Sequence, residues 1–223
     1  MGCAVHQPSR IPVGQPGPRR AAVVARVRRQ QARPSCRPVG SRAGVALDRM
    51  AAALAKHHGP VTIDLGCGTG ESTIARATAD PSRLVIGIDR SRARLHRHGP
   101  VPTNAHLVRA NIDDVLATAH AVGWTFDEAL VLYPNPYPKP GQQSRRLYGR
   151  PALLDLLAVA RTIVMRTNWA VYAHEFAMAV EAAGGPKVAA QRWAPASAGS
   201  AFERKYLAAG HALWAVMVDP NDL

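Results

Sequence analysis

The chain has few aromatics, only three cysteines, four lysines against 24 arginines, and no long apolar run. Each shortage removes a class of protein. Cys3, Cys36 and Cys67 show no metal-ligand spacing, and their odd number does not suit a disulfide framework, so they are read as reduced thiols. No stretch reaches the roughly 18 uninterrupted apolar residues of a membrane span. Ala21 to Val27 is far shorter and is broken by Arg26. A soluble, cytoplasmic chain without a membrane partner is expected. His57-His58 and His96-x-His98 have no carboxylate or cysteine partner at ligand spacing, so helix-end histidines are the simpler reading and no metal is expected.

Acidic residues are absent from positions 1–42, which carry nine arginines, and this asymmetry explains most of the net charge of +13. Beyond position 42 stand 19 basic and 15 acidic residues, a mildly basic remainder. Residues 1–40 also hold six prolines and four glycines without a sustained apolar period, so a disordered basic leader is expected there. Such a leader could track a polyanion through counterion release or be only a solvated tail. Residues 41–223 are expected to form one domain, with enough apolar residues to close a core.

From Ser41 the pattern becomes regular. Val45, Leu47, Met50, Ala53 and Leu54 fall largely on one helical face, ending near Gly59-Pro60. Strands are then expected at Val61–Leu65, Leu84–Asp89, His106–Arg109, Glu128–Tyr133 and Thr162–Arg166, alternating with helices at Gly70–Thr78, Ser91–His98, Asp113–Val122, Pro151–Val159 and Val171–Ala183. Two more strands, near Lys187–Trp193 and His211–Val218, flank a short helix around Phe202–Ala208. This alternation predicts an α/β fold, a mostly parallel seven-stranded doubly wound sheet with an antiparallel edge.

Ile63-Asp64-Leu65-Gly66-Cys67-Gly68-Thr69-Gly70 leaves the first strand and opens a helix, the setting of a nucleotide-binding glycine turn. Two carboxylates narrow the choice. Asp64 stands two residues before the first glycine, and Asp89 ends the second strand. The pair resembles the first two motifs of the class I methyltransferases, with a Rossmann-like fold and S-adenosylmethionine as cofactor. The resemblance gives Asp64 the cofactor's amino group, Gly66, Gly68 and Gly70 the close backbone approach, and Asp89 the ribose hydroxyls. Asn111, or Asp113 just behind it, would meet the adenine. The bland alternative makes both acids strand-end caps.

After the fourth strand comes Tyr133-Pro134-Asn135-Pro136-Tyr137-Pro138-Lys139-Pro140. Four alternating prolines exclude a helix or central strand and make a stiff loop at the sheet's carboxyl edge, either a structural turn or a substrate wall. The loop resembles the Phe-Pro-Asp-Pro-Trp-x-Lys segment of the bacterial tRNA (guanine-N7)-methyltransferases. Arg145-Arg146-Leu147, Arg166-Thr167-Asn168-Trp169 and Ser200-Ala201-Phe202-Glu203-Arg204-Lys205 follow in the family's order over roughly residues 41–218. Both family aspartates are asparagine here, Asn135 and Asn168, and the tryptophan is Tyr137.

By this resemblance Asn135, Tyr137 and Glu203 carry catalysis, and Asn135 also lies near the cofactor. Lys139, Thr167, Asn168, Ser200, Phe202 and Glu203 face the substrate, while Arg145, Arg146, Arg204 and Lys205 contact phosphates of an RNA partner, most naturally tRNA. Guanine N7 has a free lone pair, so positioning and charge management matter more than a base. Other readings stay open. The folded part is only mildly basic, which suits N-methylation of a small planar heterocycle, and the Asn replacements suit an RNA-binding relative with lost turnover. Asn135-Pro136-Tyr137 is also similar to the Asn-Pro-Pro-Tyr loop of amino-methyltransferases. Trp169, Trp193 and Trp214 are read as core.

Overall fold

The computed structural model describes residues 10–13, 15–32 and 41–219. Every residue of β1 (Val61–Leu65) and β2 (Leu84–Asp89) is buried, as expected for parallel strands covered on both faces. With β3 (Ala105–Arg109), β4 (Phe126–Leu132), β5 (Ala160–Thr167), β6 (Gln191–Trp193) and β7 (Leu213–Val218) they form one sheet in the order β3-β2-β1-β4-β5-β7-β6. The first five strands are parallel, and β7 runs antiparallel between β5 and β6. The expected antiparallel edge is therefore present. The strand anticipated from Lys187 is only three residues long, because residues 187–190 find no partner strand.

Chain order reverses between β1 and β4, so their carboxyl ends diverge into a crevice, the place where open α/β sheets bind ligands. Helices α2 (Ser41–Ala55), α3 (Glu71–Ala79), α4 (Arg92–Leu95), α5 (Ile112–Val122), α6 (Ala152–Val159), α7 (Ala170–Ala182) and α8 (Ala201–Ala208) alternate with the strands. Asn111 starts α5 by accepting a hydrogen bond from the Asp113 amide at 3.1 Å, and Asp113 and Asp114 in its first turn complement the helix dipole.

Within the segment expected to be a disordered leader, residues 20–32 depart from expectation. Residues Arg20–Ala32 form helix α1, which packs on α7 with Val23 and Val27 buried. Four polar links tie this segment down. The Arg19 amide donates to Glu175 Oε1 at 2.9 Å, Gln15 Oε1 accepts from the Val171 amide, Arg20 pairs with Glu181, and Gln31 donates to the Ala183 carbonyl. Two valines one turn apart were enough once α7 offered them a surface. Residues 1–9, 14, 33–40 and 220–223, with Cys3 and Cys36, lie outside the described residues.

Candidate active site

Two adjoining hollows open at the crevice. The larger, about 450 Å³, is bordered by Gly66, Asp89, Asn111, Tyr133, Asn135 and Tyr137, and the smaller, about 270 Å³, by Asp64, Gly68, Ser72, Arg97, Ser200 and Lys205. Gly66, Arg94, Leu132 and Phe202 belong to both. Gly66 and Gly68 have φ of 87° and 63°, a backbone that L side chains resist, and this turn brings main chain to the crevice floor.

Asp64 is 1% exposed, and its Oδ2 accepts hydrogen bonds from Ser72 Oγ at 2.5 Å and Thr73 Oγ1 at 2.8 Å. Burial raises its pKa, an effect that the two hydroxyls only partly offset, and neighbouring Asp89 raises it further. Both hydroxyl partners of Asp64 are neutral, so the carboxylate suits an incoming ammonium. Asp89 is held in place by the Gly68 amide (3.0 Å), the Ser91 amide (2.7 Å) and Arg94 Nη2 (3.0 Å). A buried acid for the amino group, a glycine turn and a second acid at the next strand end fit S-adenosylmethionine. When bound, that cofactor supplies a methyl group on a cationic sulfur, which a lone pair accepts without prior proton removal.

Because protonation of Asp64 competes with the cofactor's ammonium, affinity for S-adenosylhomocysteine should fall as pH drops, and at a higher pH than an ordinary carboxylate of pKa 3.8 would set. Calorimetric titrations across pH should show this decline, and Asp64→Asn should bind at least about tenfold more weakly with the decline removed. An unchanged pH profile in Asp64→Asn would discard that role.

Across the crevice the proline loop is bent. Among the described residues only Tyr133 (φ 50°) and Tyr137 (φ 43°) are non-glycine residues with positive φ, a conformation that costs on the order of 1–3 kcal/mol each. Surrounding contacts hold it. The Tyr133 hydroxyl donates to Glu203 Oε1 at 2.7 Å, and Asn135 Oδ1 accepts from the Tyr137 amide at 3.2 Å. Arg146 donates to the Pro136 carbonyl (3.0 Å) and the Tyr137 carbonyl (3.0 Å).

Arg146 is therefore not a surface phosphate contact. Its side chain is 3% exposed and reaches Glu175 at 2.6 Å and the Tyr148 hydroxyl at 2.6 Å, while Tyr148 also donates to Glu175. The planar guanidinium fork suits this mixed set of carbonyls and carboxylate. Its neighbour Arg145 is exposed and lies 4.8 Å over the Tyr137 ring on the crevice wall.

Glu203 is likewise internal. At 1% exposure it accepts from Tyr133, from Trp193 Nε1 (2.9 Å) and from the Gly199 amide (2.6 Å), with Arg166 at 3.4 Å. Burial pushes its pKa up, but the hydrogen bonds and the Arg166 charge outweigh it and hold the carboxyl below its ordinary value. Trp193 lies under Arg166 at 4.0 Å and is only partly buried on the edge strand, outside the hydrophobic core in which it was expected, whereas Trp169 and Trp214 pack against that core.

Other anticipated substrate residues divide. Thr167 is fully buried and accepts from the Trp169 amide, and Asn168 is buried with its amide nitrogen 2.9 Å from His211 Nδ1. Arg204 pairs with Glu71 at 2.5 Å, and Lys139 is exposed outside both hollows. Ser200 caps α8 through the Glu203 amide while bordering the smaller hollow, where Lys205 also lies. Asp113 pairs with Arg150 at 2.7 Å, which leaves Asn111 as the residue at the crevice.

Sequence reasoning missed Tyr206 and Tyr172, both on the larger hollow. Tyr206 stacks near Phe202 (6.1 Å, 25°) and Tyr133 (5.4 Å), and the i,i+4 spacing of Phe202 and Tyr206 on α8 was the available signal. Among the described residues no cluster of His, Cys, Asp and Glu could hold a metal, and no helix is long and apolar enough to cross a membrane.

The fold, glycine turn and paired acids define a class I S-adenosylmethionine-dependent methyltransferase. Residues 58–216 match the family model described as "Putative methyltransferase". The chain is 30% identical over 171 residues to the tRNA (guanine-N7)-methyltransferase of Halorhodospira halophila, covering 68% of this chain and 71% of that one. It is 32% identical over 174 residues to that of Nocardioides sp., covering 69% and 65%. Matches to such relatives span from 37% to 71% of their own length. The chain belongs to the tRNA (guanine-N7)-methyltransferase family. In fold it is similar to the 16S rRNA methyltransferase KamB, at TM-score 0.57 and 18% identity, covering 77% of this chain and 92% of that one. A 16S rRNA (adenine(1408)-N(1))-methyltransferase mutant from Catenulisporales acidiphilia, solved with cosubstrate SAM, gives TM-score 0.51 at 18% identity, covering 77% and 89%.

Proposed function

We propose that this chain methylates N7 of a guanine in cytoplasmic tRNA, using S-adenosylmethionine. The observation that carries the reading is the braced proline loop, which sets Asn135 and Tyr137 on the wall of the hollow that Gly66 and Asp89 also border. A flat base would lie against Tyr137, with Phe202 and Tyr206 closing the far side. N7 attacks with its own lone pair, so the protein contributes position and charge rather than a base. Asn135 uses its oxygen on the Tyr137 amide, which leaves its NH₂ to donate to the base edge.

Unmodified tRNA incubated with the protein and labelled cofactor should yield 7-methylguanosine by nucleoside mass spectrometry, and no signal above a heat-killed control would end this reading. Asn135→Asp should raise turnover by about tenfold, since a carboxylate there stabilises the cationic base better than a neutral amide. A slower Asn135→Asp enzyme would show that charge is not what the amide lacks.

A second reading has one observation in its favour: Arg146, Asn168 and Glu203 all point inward, leaving fewer family positions for RNA. It makes the acceptor a small planar heterocycle, and methylation of such a compound that excess tRNA does not inhibit would favour it.

A further inference from the structure

Between Asp89 and Asp113 the chain has five arginines, Arg90, Arg92, Arg94, Arg97 and Arg109, and no acid. Beyond position 42 there are 19 basic and 15 acidic residues, and setting these five aside leaves 14 against 15. The whole net positive charge of that part of the chain therefore sits in one segment, α4 with its flanks and β3.

Two of the five cations anticipated at the substrate face, Arg146 and Arg204, are engaged elsewhere, and so is nearby Arg150. Arg146 is consumed by Glu175, Arg204 by Glu71, and Arg150 by Asp113. Within the segment Arg94 pairs with Asp89, but Arg90, Arg92, Arg97 and Arg109 are exposed and stand in no ion pair among the described residues. They are also arranged rather than loose. Arg109 Nε donates to the Arg90 carbonyl at 3.4 Å, Arg92 Nε approaches His96 Nε2 at 3.2 Å, and buried Leu95 anchors α4 between them. Arg90 borders the larger hollow and Arg97 the smaller, so the row starts at the crevice itself.

We propose that Arg90, Arg92, Arg97 and Arg109 form a track for the phosphate backbone of the RNA whose base enters the crevice. This rests on the RNA reading above and assigns its phosphate contacts to a segment other than the expected Arg145–Arg146 and Arg204–Lys205 pairs. Planar guanidinium groups bind phosphate in a bidentate way, and each contact releases counterions, so the track should appear as salt dependence.

The test is binding of an unmodified tRNA transcript by the full chain from 50 to 200 mM KCl. Removing four contacts in R90Q/R92Q/R97Q/R109Q should make the slope of log K against log salt shallower by about 2.8 to 3.6, so that its affinity changes about 50- to 150-fold less than wild type over that range. If the quadruple variant fails to fold, R92Q/R109Q, whose side chains border neither hollow, should lose about half that slope. R161Q/R192Q, on exposed arginines elsewhere, should keep the wild-type slope. tRNA binding with an unchanged slope in the track variants would overturn the track and leave the methyltransferase reading intact. Absence of any tRNA binding by wild type at 50 mM KCl would instead remove the RNA reading, and the track with it.

Discussion

Arg146→Met should lower unfolding free energy by about 3 kcal/mol, because removing one partner of a buried ion pair leaves the other charge desolvated. The side chains of Arg146 and Glu175 are 3% and 2% exposed, so solvent cannot repair the loss. Arg19, Gln143 and Tyr148 still donate to Glu175, which puts the cost at the lower end of the usual range for such pairs. Function should suffer in a distinctive way. The Pro136 and Tyr137 carbonyls lose their donors, the bent loop relaxes, and KM for the acceptor should rise about tenfold while S-adenosylhomocysteine binds as before. Urea unfolding reads the first effect, and initial rates beside calorimetric titration with S-adenosylhomocysteine read the second. Replacing both partners by apolar residues should cost less than the sum of the single changes. An Arg146→Met protein as stable as wild type would sink the clamp.

Glu203→Ala is expected to cost about as much, on the order of 3 kcal/mol, because it strips the acceptor from the Tyr133 hydroxyl, Trp193 Nε1, the Gly199 amide and Arg166 at once. Its pH signature has a definite sign. The Glu203 carboxyl lies below its ordinary value of 4.5, so its contribution is present above that value and disappears as pH falls through the lower folded value. Glu203→Gln should therefore be less stable at neutral pH and should lose less stability than wild type as pH is lowered below about 4.5. If Glu203 acted directly on substrate instead, Glu203→Ala would keep wild-type unfolding free energy and lose only turnover. Thermal melts beside initial rates separate the two cases.

These two residues mark where sequence reading stops. The sheet was legible because β1, β2 and β4 are short apolar runs bounded by turn residues, and the cofactor end was legible because its residues are contiguous: Asp64 to Gly70 is one turn, and Asp89 closes the next strand. The acceptor side is assembled from segments far apart in the chain. Nothing in Arg145-Arg146 tells which guanidinium faces the crevice, since that is decided by Glu175, 29 residues on. Glu203 resembled a substrate-facing acid until Tyr133, 70 residues earlier, placed a hydroxyl against it. Helix α1 is hidden in the sequence for the same reason: arginines and prolines dominate the composition of residues 1–40, whereas α1 depends on Val23 and Val27 meeting a helix near the other end of the chain.

That last contact sets an order of events during synthesis. Arg19 emerges from the ribosome long before its partner Glu175, 156 positions later, and at about 5–20 residues per second the wait is roughly 8–30 s. Throughout that interval α1 has no α7 to cover its valines, and the Glu175 carboxylate that Arg146 will grip does not yet exist. The brace of the proline loop is thus among the last parts of the nascent protein to set, after the five parallel strands β1 to β5 have all been translated.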